Sequence, residues 1–140
     1  MRPFVSLICM AASVFAAGAV AQEKPDPLEA ADKACMDNAG STAAMSDCAD
    51  ASYKRWDREL NRVYTEIRAK IDKPAQAALK ESQQKWLAYR DAENATIGAV
   101  YRQMQGTMYV PMRAGDAAEI VKARVKQLRG YLSLFTPQDQ

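Results

Sequence analysis

Histidine does not occur in this chain of 140 residues. Its absence excludes histidine triads, histidine proton shuttles and histidine-bearing zinc sites. Excess charge of one sign is missing too. Nineteen basic residues against seventeen acidic ones leave a net charge of +2, too little for a nucleic-acid footprint. Phosphate loops, dinucleotide fingerprints and zinc-ligand clusters are absent, so no cofactor and no metal is expected. The length supports one ordinary domain and not two. These absences lean against an enzyme.

Long apolar runs are nearly absent as well. The one example, Phe4 to Ala17, follows Arg2 and leads to Ala19-Val20-Ala21, an A-x-A cleavage pattern. Residues 1–21 therefore read as a secretory signal peptide cut before Gln22, with no membrane span after processing. Periplasmic or secreted localisation follows. Of three cysteines, Cys9 leaves with the leader. Cys35 and Cys48 remain as an even pair in an exported chain and read as a disulfide, stabilising by roughly 3 kcal/mol. They lack the CxxC spacing and the basic neighbour of catalytic thiols.

The mature chain reads as all-α. Residues 22–27 (QEKPDP) form a tether, and Leu28–Ala39 a short helix stopped by Gly40. Ser41 or Thr42 caps a second helix whose apolar stripe (Met45, Cys48, Ser52, Trp56, Leu60, Val63, Ile67, Ile71) steps by three or four. Pro74 suits the first turn of a third helix running through Leu79, Gln83, Trp86, Arg90, Ile97, Val100, Tyr101 and Met104 to Gly106. Residues 106–115 break the pattern, and a last helix starts near Asp116. No run alternates with period two. The expected architecture is two long antiparallel helices with a short N-terminal and a C-terminal helix packed on them.

A turn centred near Lys73 sets residues whose numbers sum to about 146 opposite each other. Asp57 then faces Tyr89 and Arg90, Asn61 faces Trp86, and Tyr64 faces Gln83. Unpaired polar groups there would cost a few kcal/mol, on the order of the desolvation penalty. An Asp57–Arg90 pair and Asn61–Gln83 hydrogen bonds are therefore expected, as a registry lock and not as an acid–base site.

Cys48, Asp57, Leu60-Asn61 and Tyr64, followed by Gln83, Trp86 and Tyr89-Arg90-Asp91, resemble the signature of the LprI-like lysozyme-inhibitor family. The resemblance covers roughly residues 35–130 and makes residues 28–136 a single LprI-like helical domain. It implies an exported helical module whose partner is a protein, a lysozyme first of all. Members of that family commonly carry two further cysteines, where this chain has Asn94 and a position near Asp116. The resemblance implies that a second bridge is missing here and that residues 106–115 are looser.

Binding, with no catalysis, is thus the expected activity, and inhibition of lysozyme-type muramidases is the leading reading. Between Gln22 and Ser52 seven acids, including Asp37, Asp47 and Asp50, outnumber two lysines, a local charge of −5 that would steer a basic partner. The apolar loop Met108-Tyr109-Val110-Pro111-Met112 is the second candidate contact. The alternative is a non-catalytic envelope interaction or scaffold module using the basic last helix (Lys122, Arg124, Lys126, Arg129). An acid pair at Asp91 and Glu93 fails as an active site, because residues two apart on a helix point in different directions.

Overall fold

The computed structural model describes residues 25–135. The leader, the first half of the tether (22–24) and residue 136 of the expected domain lie outside the described residues. Four helices follow in order: α1 (Pro27–Asp37), α2 (Thr42–Lys70), α3 (Lys73–Tyr101) and α4 (Tyr109–Ser133). Among the described residues there is no strand.

Local chemistry sets most of the boundaries. Asp26 caps α1 by accepting from the Leu28 amide at 2.8 Å, and Pro27 opens the helix where a missing N–H costs nothing. Ser41 Oγ accepts from the Ala44 amide (3.1 Å) to start α2, and Asp72 Oδ1 from the Ala75 amide (2.9 Å) to start α3. Ile71 and Asp72 alone connect the two long helices. Gly106, at φ 112°, occupies a left-handed conformation that suits glycine in the loop before α4.

Helix α4 starts seven residues earlier than expected from the sequence. Pro111 lies in its first turn, where proline is tolerated, and Gly115 is carried inside the helix. The break therefore shrinks to residues 102–108.

The core is built from Trp56, Leu60, Val63 and Ile67 of α2, Val121, Val125 and Leu128 of α4, and Leu79 of α3. Helices α2 and α4 run side by side in the same direction. Cys48 and Ala49 share a cleft with Gly115 and Ala118, Trp56 lies by Lys122, and Glu59 bonds Arg129. Helix α3 runs back between their ends, antiparallel to α4, with Ser82 and Gln83 at Arg124 and Tyr101 at Asp116. Backbone approach is far closer between α2 and α4 than between α2 and α3. Small and β-branched residues (Ala49, Val63, Ala118, Val121, Val125) line the first seam, whereas Tyr53, Tyr64 and Trp86 flank the core on the other. Helix α1 lies across α2 and α4, joined to α2 by the expected Cys35–Cys48 disulfide, with Cα atoms 5.7 Å apart.

Two substitutions test this packing in urea denaturation. Leu128→Ala, at a fully buried position, is expected to cost about 2–5 kcal/mol. Gly115→Ala is expected to stabilise by about 0.5–1 kcal/mol, since an added Cβ meets nothing within 4 Å inside a helix. A loss of stability in Gly115→Ala would show that the α2–α4 seam is tighter there than described.

Candidate functional site

The charged residues sort first by what they are already bound to. Asp32 of α1 accepts from the indole Nε1–H of Trp56 at 2.7 Å and from Arg55 through Nε (3.1 Å) and Nη2 (2.5 Å). Trp56 is 0% exposed, so its N–H needs that acceptor. Lys122 and Arg129 of α4 lie 5.8 and 5.6 Å from the Trp56 ring centre, within cation–π range. Lys122 (3.3 Å) and Lys126 (2.6 Å) both pair with Glu29 of α1. Arg129 bridges the α1 cap, Asp26, and Glu59 of α2, the latter at 2.7 Å.

These contacts change the reading of both charged segments. Asp26, Glu29, Asp32 and Asp37 belong to intramolecular pairs, Asp37 with Lys33 at 2.6 Å. Only Asp47 and Asp50 of the described acids before Ser52 are exposed without an ion pair among the described residues. The basic last helix is spent likewise. Lys122, Lys126 and Arg129 hold α1 and α2, and Arg124 is buried, so these cations are engaged within the fold.

The expected hairpin lock is corrected in its partners. Arg90 donates to the neighbouring Asp91 at 2.8 and 3.0 Å, not to Asp57. Burial disfavours the Arg90 cation, but the Asp91 hydrogen bond and the fields of Tyr53, Asp91 and Asp57 outweigh it, and its pKa lies above the ordinary value. Asp57 thus acts on Arg90 through space. Asn61 is exposed and donates to the Asp57 carbonyl at 2.9 Å. Gln83 turns to α4 and accepts from Arg124 at 3.2 Å. The cause is the wide α2–α3 spacing: at that separation partners on the same helix, or on α4, are nearer than those across the hairpin. Tyr64 and Trp86 do flank the core, with Arg68 over the Tyr64 ring and Arg90 over Trp86.

The remaining predicted residues meet at one end of the bundle. The last turns of α1 and α3 and the first turns of α2 and α4 gather there, bringing Asp37, Asp47 and Asp50 to the same end as Met108, Tyr109 and Met112. Met104, Met108, Val110 and Met112 are exposed, as is Val100. An apolar cleft of about 360 Å³ opens between Ile97, Val100, Tyr101, Met104, Tyr109 and Met112. The Tyr101 and Tyr109 rings stand 6.2 Å apart, and the Tyr101 hydroxyl donates to Asp116 at 2.6 Å. That hydrogen bond joins α3 to α4 near the position where the family resemblance implies a missing cysteine. The Asn94 side-chain oxygen, at the other such position, is buried without a partner among the described residues.

Sequence reasoning missed the Asp32–Trp56 bond, for which it offers no signal. It also missed the burial of Arg124, for which it does: position 124 lies between Val121 and Leu128 on the apolar stripe of α4. Among the described residues no group of three metal-ligating side chains forms, and no helix is long and apolar enough to cross a membrane.

A paired-cysteine helical bundle with this ordered set of Asp, Asn, Gln, Trp and Arg matches a known family over most of its length: the model of the lysozyme inhibitor LprI fits residues 35–128. The chain belongs to the LprI family. It is 30% identical over 98 residues, 61% of this chain and 69% of the relative, to the uncharacterized protein R02472 of Rhizobium meliloti (strain 1021). A crystal structure of an uncharacterized protein from Burkholderia thailandensis superposes with a TM-score of 0.70 at 32% identity. That match covers 76% of this chain and 54% of the other, so this LprI-family chain spans about half the length of that solved protein.

The α1 clamp has a pH signature. In Asp26 and Asp32 burial raises the carboxyl pKa, but hydrogen bonds (from Leu28 and Arg129, and from Arg55 and Trp56) outweigh it. Both lie below their ordinary 3.8. Glu59 lies below 4.5, held there first by Arg62 and then, against burial, by Arg129. Depressed values mean stability that is complete above the unfolded-state pKa and lost as pH falls toward the folded-state one. The urea midpoint is therefore expected to be flat from neutrality to about pH 5 and to drop below about pH 4.5. Asp32→Asn should lower the plateau and shallow the drop; an unchanged profile would contradict the clamp.

Proposed function

We propose that this protein inhibits a lysozyme-type muramidase in the periplasm or outside the cell, and that the end of the bundle carrying Met108, Tyr109 and Met112 beside Asp47 and Asp50 is the contact surface. One observation carries the choice of surface: methionines and a valine stay exposed there around an apolar cleft, at the same end of the bundle as two exposed acids without an ion pair among the described residues. Apolar side chains of that kind suit a groove in a partner, and flexible methionines adapt to its shape. Unspent carboxylates suit a basic enzyme, raising the rate of encounter more than the final affinity. Membership of the LprI family supplies the target class, and the leader pattern with the Cys35–Cys48 bridge supports an oxidising compartment.

The test is a cell-wall lysis assay of residues 22–140 against several lysozymes, with a reduced and alkylated control. Val110→Asp is expected to weaken inhibition at least about tenfold, as for loss of a contact in the middle of an interface. Asp47→Lys with Asp50→Lys is expected to slow association and flatten its salt dependence. Both sites are exposed, so the fold should be unaffected. Undiminished inhibition by all of these variants would eliminate the surface; failure of the unaltered protein to inhibit any lysozyme would eliminate the function.

A further inference from the structure

Among the described residues, one buried cation lacks a countercharge. Arg124 is 6% exposed, the one charged residue in the buried set. Its guanidinium donates to Ser82 Oγ (3.0 Å), Gln83 Oε1 (3.2 Å) and Gln127 Oε1 (2.6 Å). All three acceptors are neutral. Every other cation on the inner faces of α4 has a carboxylate: Lys122 and Lys126 have Glu29, and Arg129 has Asp26 and Glu59. Burial pushes the Arg124 pKa below its ordinary value, and no carboxylate opposes that effect. A buried charge without an opposite partner is costly, and a bound anion would offset that cost.

The surroundings of Arg124 have the form of a site. It lines a cleft of about 450 Å³ between α3 and α4, with Trp86, Tyr89, Ile120, Ala123 and Gln127. The guanidinium lies 5.9 Å from the Trp86 ring centre, and Arg90, itself paired with Asp91, stands on the same ring at 5.6 Å, which leaves Arg124 as the cation at that ring without a carboxylate. A guanidinium has five N–H donors, of which three are spent here. Two remain, matching the two oxygens of one carboxylate in number and one negative charge in sign. Trp86, Tyr89 and Ile120 offer an apolar surface to whatever carries that group.

We propose that the α3–α4 cleft around Arg124 is a binding site for a small organic monocarboxylate, its carboxylate on the guanidinium and its apolar body on Trp86. The site is separate from the end of the bundle and does not depend on the lysozyme reading.

Two-dimensional NMR tests it directly, because the chain has two tryptophans and only Trp86 lines the cleft. N-acetyl-L-phenylalanine is expected to shift the Trp86 indole signal saturably while leaving that of Trp56 in place. Its amide should produce no saturable shift, and inorganic phosphate a weaker one. Gln127→Glu places a carboxylate on the atom that already meets Arg124 Nη1, so it should raise the melting temperature and weaken N-acetyl-L-phenylalanine binding at least about tenfold. This variant keeps the acceptor and is expected to fold. The proposal is overturned by an equal response to the amide, by tighter binding of phosphate, by no saturation up to about 10 mM, or by a Gln127→Glu protein that binds the acid unchanged.

Discussion

The bond from the buried indole of Trp56 to the carboxylate of Asp32 is the contact on which the rest of the arrangement depends. Helix α1 has 11 residues and buries none of them, so neither its length nor its packing would keep it helical in isolation. It is held by three carboxylates at successive turns, Asp26, Glu29 and Asp32, each aimed at a cation or at the indole, and by the Cys35–Cys48 bridge at its far end. Trp56 in turn is the largest side chain of the core, and removing its acceptor would leave a buried donor unpaired at about 1–3 kcal/mol. The clamp and the core are therefore one structure.

This arrangement explains the near-neutral charge of the chain in spatial terms. The acidic first segment and the basic last helix look, in sequence, like two surfaces waiting for partners. In the fold Asp26 and Glu29 pair with cations of the last helix, and Asp32 and Asp37 with Arg55 and Lys33. What they leave over is small and specific: two acids and a group of methionines at one end, and one uncompensated arginine midway along the α3–α4 groove. Both are where a binding protein has interactions to offer.

Much of this was legible from the residues. The cap at Ser41 or Thr42, the three-and-four stripe from Trp56 to Ile67, the short α2–α3 turn and the pairing of Cys35 with Cys48 all rest on local chemistry that one strand of sequence displays. The ordered Asp57, Asn61, Gln83, Trp86 and Arg90 pointed to the LprI family that the comparisons confirm. What failed was of a different kind. Numbering along a hairpin gives which residues stand level, but not how far apart the helix axes lie. Small residues at Ala49 and Ala118 draw α4 onto α2, whereas bulky ones hold α3 away, so Asp57 and Arg90 find other partners. Pro111 and Gly115 read as breaks in residues 106–115, but proline fits a first turn and one glycine does not stop a helix whose other residues pack. Arg124 reads in sequence as one of the basic residues of the last helix, although its position between Val121 and Leu128 places it on the inner face.

A double-mutant cycle between Asp32→Ala and Trp56→Phe in denaturant unfolding, with the disulfide intact, tests the central claim most directly. A coupling energy of about 1.5–3 kcal/mol is expected, the value of a hydrogen bond to a charged group. Additive losses, with coupling indistinguishable from zero, would mean that α1 rests on the bundle without being anchored by Trp56, and the account would fail.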